Sequence, residues 1–175
     1  MALSEQIKKT INGIRSHFPT EQALLLPLLH EIQNEQGWVS MDSMRSAGEF
    51  LNLPLSKVRE VASFYTMYKL EEQGKVDVQI CTNISCWLQG AEKLMACAEK
   101  KLGIKSGETT ADGKFTLSHV ECLAACGTAP AMMINEDYYE NLTETELNKI
   151  IDMAQTDLSA GKVVGKSTRT EGVWP

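Results

Sequence analysis

The feature that most constrains the fold is the placement of four cysteines in two close pairs. Cys81 and Cys86 form the first pair, Cys122 and Cys126 the second, and the 35 residues between the pairs suffice for a helix and a strand. Each pair follows an apolar run that alternates with polar residues, as a half-buried strand does. A fold that brings these two strand ends together would place four sulfurs around one point, which is the geometry of a metal centre.

Composition limits the class of protein. The chain has 175 residues, 43% of them hydrophobic, which fits one ordinary soluble domain or two small ones. Its formal net charge is −6 and no dense Lys/Arg cluster occurs, so we expect no nucleic-acid binding, because phosphate neutralisation needs a basic face. No apolar run is long enough to span a bilayer and no signal peptide opens the chain, so we expect neither membrane insertion nor export.

The basic residues near the start raise the alternative of a mitochondrial transit peptide. Lys8, Lys9 and Arg15 face one acidic residue, Glu5, within residues 1–19. Apolar residues recur there every three or four positions, however, which favours a packed amphipathic helix. We therefore expect a cytoplasmic protein more than one of the mitochondrial matrix. In that reducing compartment, five cysteines predict metal binding or redox chemistry rather than a disulfide framework.

The first part of the chain, residues 1–74, is predicted to be a helical bundle domain. Its apolar residues repeat with a helical period, and short breaks separate four segments. Thr20 is expected to cap a second helix and Ser40 a third. Pro27 lies inside the second segment, where it would remove one intrahelical hydrogen bond and bend the helix.

From residue 75 the hydrophobic period changes to two, which predicts a second domain over residues 75–158. Strands are expected at 76–80 and 115–120, with a helix over 87–102 between them, then a hairpin around 135–136 and a last helix that a Thr143–Glu146 capping box opens. The order β-α-β-β-β-α is compatible with a thioredoxin-like sandwich, so the predicted class is α+β. Residues 159–175 form a C-terminal tail, either a disordered end or an arm that docks on a partner.

The cysteine pattern favours one 2Fe-2S cluster. Soft thiolate ligands suit iron in both oxidation states, and four of them suffice for two irons. We expect Cys81 and Cys86 on one iron, Cys122 and Cys126 on the other, and a helix that begins after Cys86 and favours an anionic centre.

Two other kinds of site remain as alternatives. A zinc-stabilised interaction module would also use four thiolates, although the gaps of four and three residues are wide for structural zinc. A thiol oxidoreductase would need Cys-x-x-Cys, which the chain lacks. Cys97 is predicted to be a small packing thiol on a helix, and His119 to be a neighbour rather than a ligand. No nucleotide-binding motif occurs, so hydride chemistry would belong to a partner.

Four segments together resemble a known family. Residues 81–91 and 120–135, with the earlier segments 33–39 and 61–67, are similar to the small two-iron ferredoxin subunit of NADH:quinone oxidoreductase, respiratory complex I. The likeness spans about residues 20–155. It implies a helical domain followed by a thioredoxin-like ferredoxin domain with one 2Fe-2S cluster.

The resemblance also implies a role. The chain would be a non-catalytic, electron-carrying subunit beside a partner that holds FMN, the NADH site and an iron-sulfur cluster of its own. The assembly would lie at the cytoplasmic side of the inner membrane without insertion of this chain. Related subunits occur in NAD-dependent formate dehydrogenases and multimeric hydrogenases; the complete helical part and the absence of added cluster motifs favour the respiratory enzyme.

Overall fold

The computed structural model describes residues 3–162 and residue 164. These divide into two compact units, with the boundary between Glu72 and Gln73. Helices make up the first unit and a mixed four-stranded sheet with helices the second, which confirms the predicted α+β class. The division into independent domains at 1–74 and 75–158 stays a prediction, because compactness does not show that a segment folds alone. Most of the predicted tail, 159–175, lies outside the described residues.

The first unit contains four α-helices around one apolar core. They are α1 Glu5–Ile14, α2 Leu25–Gln36, α3 Met41–Leu51 and α4 Leu55–Phe64, with 3-10 turns at Arg15–His17 and Glu21–Leu24. The predicted cap of α3 is confirmed, since the Ser40 hydroxyl accepts from the Ser43 N–H at 3.1 Å. Residues of all four helices bury the core, among them Ile11, Leu25, Leu28, Leu29, Ile32, Leu51 and Val58.

The prediction that Pro27 bends a helix is wrong, because Pro27 lies near the start of α2 and not in its interior. Thr20 caps the 3-10 turn Glu21–Leu24, not an α-helix, and α2 begins only at Leu25. Pro27 is therefore the third residue of α2, within the first turn, where a backbone N–H has no intrahelical acceptor. Proline costs no hydrogen bond at this position, and its ring is buried.

The second unit is a sheet with helices. Its elements are β1 Val76–Cys81, α5 Ile84–Leu88, α6 Ala91–Leu102, β2 Phe115–Val120, β3 Met132–Ile134, β4 Asp137–Tyr139 and α7 Glu144–Ser159. The strand order is β2-β1-β3-β4, with β1 parallel to β2 and the other pairs antiparallel. The predicted strands, hairpin and last helix are confirmed. Thr143 and Glu146 form the predicted capping box, with N–H to oxygen distances of 3.3 and 2.9 Å.

The central strand β1 is more buried than its alternating sequence predicts. Asp77, expected on a solvent face, has only 9% of its surface exposed. The strand has neighbours on both sides in the sheet, and Asp77 has polar partners close in space. The Asn135 side-chain oxygen accepts from the Asp77 N–H at 2.8 Å, and the Gln79 amide donates to the Asp77 carboxylate at 2.8 Å.

The single helix predicted over residues 87–102 is wrong, because the structure has two. Asn83 starts α5 early, with its side-chain oxygen accepting from the Ile84 N–H at 2.8 Å. Gly90, at a φ of 93°, then separates α5 from α6. Cys86 consequently lies inside a short helix and not before a long one. Among the described residues, no helix combines the length and apolar character that a bilayer crossing requires.

Candidate functional site

Parallel pairing of β1 with β2 brings the two cysteine-bearing segments to one edge of the sheet. Cys81, the last residue of β1, pairs in register with Val120, the last residue of β2. The pairing continues beyond the strands, since the Thr82 N–H donates to the Val120 carbonyl at 3.0 Å. The Cys81 thiol lies 3.9 Å from the carbonyl of Glu121, the residue before Cys122. Both segments therefore leave the sheet side by side.

A small apolar cluster joins the two segments below this edge. Cys81 and Cys86 are 3% and 2% exposed and pack with Leu123, which lies between the second pair of cysteines. Ala91 and Ala131 complete the buried part of the cluster. Because Leu123 is anchored beside Cys81 and Cys86, the loop that carries Cys122 and Cys126 is held close to the first pair.

The Cys86 thiol interacts with two other cysteines, Cys81 and Cys126. Burial raises the pKa of the Cys86 thiol, and contacts with Cys81 and the nearby Cys126 act in the same direction. A hydrogen bond from the Ala131 backbone opposes this rise in the Cys86 pKa. The structure thus brings Cys81 and Cys126 close to Cys86. It holds all five cysteines of the chain as free thiols.

Cys122 belongs to an exposed, unusual loop. Its sulfur accepts a hydrogen bond from the Ala124 N–H at 3.2 Å. Ala124 has a φ of 58°, a left-handed conformation that is uncommon for a residue other than glycine. Cys126 begins a 3-10 turn, Cys126–Thr128, and is exposed like Cys122. One pair of sulfurs is therefore shielded by protein, and the other faces outward.

The four cysteines have the ligand chemistry that a two-iron cluster requires. Four free thiols on two adjacent segments of the chain supply the soft ligands that iron-sulfur centres use. Backbone N–H groups that donate to the sulfurs of Cys86 and Cys122 can stabilise negative charge there. Within residues 3–162 and residue 164, no three or more Cys, His, Asp or Glu side chains adopt a metal-binding arrangement. The ligand set therefore stays a prediction.

The two residues set aside from the ligand set lie elsewhere. Cys97, on α6, is half-buried and accepts from the Asn148 side-chain amide at 3.3 Å, with its neighbours in the core of the second unit. His119 is exposed, and its Nδ1 lies 3.1 Å from the Ser106 hydroxyl.

One feature of the site was not predicted from the sequence. Ile84, Trp87 and Leu88 project from α5 with 69%, 52% and 69% of their surface exposed, around the buried Cys86. Beside them lies an open depression of about 230 Å³, lined by Ser85, Leu88, Gln89, Cys126, Gly127 and Ala129. The sequence signal that could have indicated this exposure is the presence of three large apolar residues within a five-residue helix.

Comparisons with known proteins agree with this architecture. Residues 11–155 match the family model described as thioredoxin-like [2Fe-2S] ferredoxin. A protein of Rickettsia conorii, named as a subunit of NADH-quinone oxidoreductase, is 46% identical over 138 residues, covering 78% of this chain and 83% of the relative. The Aquifex aeolicus protein of the same name is 40% identical over 147 residues, covering 84% and 92%. The resemblance read from the cysteine segments is thereby confirmed.

A solved structure supports the fold alone. A chain of an air-oxidised NAD+-reducing [NiFe]-hydrogenase superimposes with a TM-score of 0.68 at 19% identity, over 77% of this chain. Our chain spans 23% of that hydrogenase chain. The match over residues 11–155 and the identity to relatives of similar length decide the assignment. This chain belongs to the thioredoxin-like [2Fe-2S] ferredoxin family.

Proposed function

We propose that this chain is the electron-carrying subunit of an NADH:quinone oxidoreductase, with one 2Fe-2S cluster bound by Cys81, Cys86, Cys122 and Cys126. The observation that carries the proposal is the parallel β1–β2 pairing, which brings both cysteine pairs to one edge of the sheet. Family membership and the named relatives support the cofactor and the parent enzyme.

The residues of the chain would divide the work of holding the cluster. A bound 2Fe-2S centre supplies one-electron exchange and makes or breaks no covalent bond of a substrate. Cys81 and Cys86 would hold it from the buried side, and Cys122 and Cys126 from the exposed side. The N–H groups of Ala124 and Ala131 would donate to ligand sulfur, which stabilises the negative charge that reduction adds. The chain itself would be non-catalytic.

The partner would be a subunit that binds NADH and FMN. The chain carries no glycine-rich nucleotide motif, so the flavin and the nicotinamide would lie on that subunit. Single electrons would pass between its flavin and the cluster of this chain. The complex would lie at the cytoplasmic side of the inner membrane, with this chain peripheral.

A related parent enzyme is the second candidate. The fold likeness to the NAD+-reducing hydrogenase makes an equivalent subunit of a hydrogenase or formate dehydrogenase worth testing. Identities of 40–46% to relatives named for the quinone enzyme favour the first candidate. Purification of the tagged chain from its native host would distinguish them. NADH-dependent quinone reduction in the purified fraction would support the first candidate, and hydrogenase or formate dehydrogenase activity the second.

The cluster is tested by metal analysis of anaerobically purified protein. We expect about two irons and two sulfides per chain, with an axial or rhombic EPR signal after reduction. Cys122→Ala should lose or distort that signal. Cys97→Ser is the matched control, since Cys97 packs between α6 and α7 and should keep full iron content. Colourless zinc protein would instead support an interaction module, and metal-free protein with a titratable disulfide a thiol oxidoreductase.

A further inference from the structure

Hydrogen bonds fix the two ends of residues 121–126, here called the second cysteine loop. At its start, the Thr82 N–H donates to the carbonyl of Val120, the last residue of β2, at 3.0 Å. At its end, the Thr128 N–H donates to the Ala125 carbonyl at 3.2 Å. These contacts determine where the loop leaves the sheet and where it ends, but they do not hold its middle.

The middle of the second cysteine loop is held by one side chain, that of Leu123. Leu123 is 8% exposed and is the one buried residue of the loop. It packs with Cys81 and Cys86 in the small apolar cluster that also contains Ala91 and Ala131. Within the part of the chain that the structure describes, the N–H and carbonyl of Leu123 are not paired with another backbone group. Apolar packing therefore fixes this part of the loop, and backbone pairing does not.

The two cysteines of this loop lie on the outer side of that packing. Cys122 and Cys126 are exposed, whereas Leu123 between them is buried. Ala124 has a φ of 58° and its N–H donates to the Cys122 sulfur at 3.2 Å, so the backbone turns sharply directly after Leu123. A movement of Leu123 out of the cluster would consequently displace Cys122 and Cys126 together.

The other two predicted ligands lie on regular elements. Cys81 ends β1 and Cys86 lies in α5, and both are almost fully buried. The second cysteine loop, with its exposed residues and unpaired middle, is the kind of segment that opens locally while the rest of a protein stays folded. Its opening is therefore the motion that would release the exposed pair of ligands.

Resting on the proposed function, we propose that Leu123 is a positioning residue, which holds Cys122 and Cys126 in place as ligands and so controls how long the chain retains its 2Fe-2S cluster. Opening of the second cysteine loop takes both of its ligands away at once and requires the Leu123 side chain to enter water. Exposure of a buried leucine is unfavourable, so the packing of Leu123 keeps the open state rare.

The test is the rate at which the anaerobically purified, cluster-loaded chain loses iron to EDTA, followed by the decay of its visible absorbance. EDTA binds the iron, and the freed thiolates and inorganic sulfide take up protons from water, so no oxidant or reductant is needed. In Leu123→Ala we expect release to be faster by about tenfold or more, because truncation of a buried leucine removes the packing that opposes opening. The EPR signal of the reduced variant should also broaden, since Cys122 and Cys126 would occupy more than one position.

Two control variants separate positioning from overall stability. Leu147→Ala removes the same atoms from α7, where Leu147 is fully buried in the other core of the second unit, which contains none of the four predicted ligands. It should lower the melting temperature of this unit but keep the EPR signal and change the release rate by less than about threefold. Leu123→Met nearly conserves side-chain volume, so its release rate should stay within about threefold of that of the unsubstituted chain.

The outcomes separate this inference from the proposed function. If the unsubstituted chain holds no iron-sulfur cluster, the proposed function fails and the role of Leu123 with it. If it holds one and Leu123→Ala releases iron no faster than the unsubstituted chain or Leu147→Ala, the inference is overturned and the proposed function stands. Loss of the cluster from Leu123→Ala during purification, while Leu123→Met stays loaded, supports the inference. Should Leu123→Ala fail to accumulate as folded protein, Leu123→Val takes its place; it deletes one methylene, so release should be about threefold faster, and an unchanged rate overturns the inference.

Discussion

Replacement of Gly74 by alanine tests whether the close approach of the chain before β1 to β2 controls the stability of the second unit. A Cβ atom at Gly74 would lie 2.6 Å from the carbonyl carbon of Phe115, 2.8 Å from its nitrogen and 2.9 Å from the carbonyl carbon of Lys114. All three atoms belong to the backbone, so no side-chain rotation can relieve the overlap. The Gly74 N–H also donates to the Thr116 hydroxyl at 2.7 Å, which ties this residue to β2.

The magnitude follows from the overlap. The nearest atoms must separate from 2.6 Å to about 3.4 Å, which moves the entry of β1 away from the first residue of β2. Overpacking of this kind costs roughly 1–3 kcal/mol, and we expect the upper part of that range because backbone must move. For a unit of this size, ~2–3 kcal/mol corresponds to a fall of about 10–20 °C in the melting temperature. Circular dichroism of Gly74→Ala and the unsubstituted chain, heated side by side, measures it.

Two other glycines separate steric overlap from backbone strain. Gly13, in α1, has open space at its Cβ position, so Gly13→Ala should raise stability by about 0.5–1 kcal/mol. Gly103 also has open space but a φ of +70°, so Gly103→Ala should cost about 1–2 kcal/mol of backbone strain alone. If the melting temperature of Gly74→Ala equals that of the unsubstituted chain, or is higher than that of Gly103→Ala, the steric overlap at Gly74 does not destabilise the second unit as proposed.

Three further predictions concern single contacts. Cys97→Ser should leave the iron content of the purified protein unchanged, and iron loss would place Cys97 among the ligands. Tyr68→Phe removes a buried hydroxyl that donates to the Leu26 carbonyl at 2.9 Å, so the free energy of unfolding in urea should fall by about 1 kcal/mol. Burial raises the pKa of Tyr68, so its protonated hydroxyl stabilises the folded state fully below pH ~10, the usual tyrosine pKa, and this stability is lost at higher pH. Tyr68→Phe should therefore lose less stability than the unsubstituted chain as the pH is raised. Hydrogen bonds from Thr143 lower the pKa of Glu146, so the ionised carboxylate stabilises the folded state near neutral pH, and this stability is lost as the pH falls and the carboxylate is protonated. In Thr143→Ala, the free energy of unfolding should therefore fall less steeply as the pH is lowered.

Local signals in the sequence were sufficient for most elements. The spacing of apolar residues located the four helices of the first unit, and alternation located β1 and β2. Caps were predictable where a side chain contacts the backbone three residues away, as at Ser40 and Thr143. The last helix and the hairpin followed from the same local chemistry.

The predictions failed where tertiary structure determines the bounds of an element or the burial of a side chain. Pro27 looked disruptive because a propensity pattern cannot distinguish a 3-10 turn followed by a helix from one longer helix. Gly90 reads as a tolerated helical glycine until its φ of 93° shows a break. The burial of Asp77 depends on strands that are distant in sequence. The exposure of Ile84, Trp87 and Leu88 was also missed, because apolar residues at helical spacing usually indicate a core and the break at Gly90 was not predicted.

The register of the sheet links the stability of the second unit to the predicted cluster. Phe115 and Leu117 are buried in the same core as Val76 and Val78, which are their register partners across β1 and β2. A slip of one residue would turn the buried face of β2 toward the opposite side of the sheet and move Cys122 by about 3.3 Å relative to Cys81. Burial of these apolar side chains therefore opposes the same displacement that would separate the predicted ligands. The hydrophobic pattern that stabilises the sheet also sets the spacing of the sulfurs, although none of these four residues is a ligand.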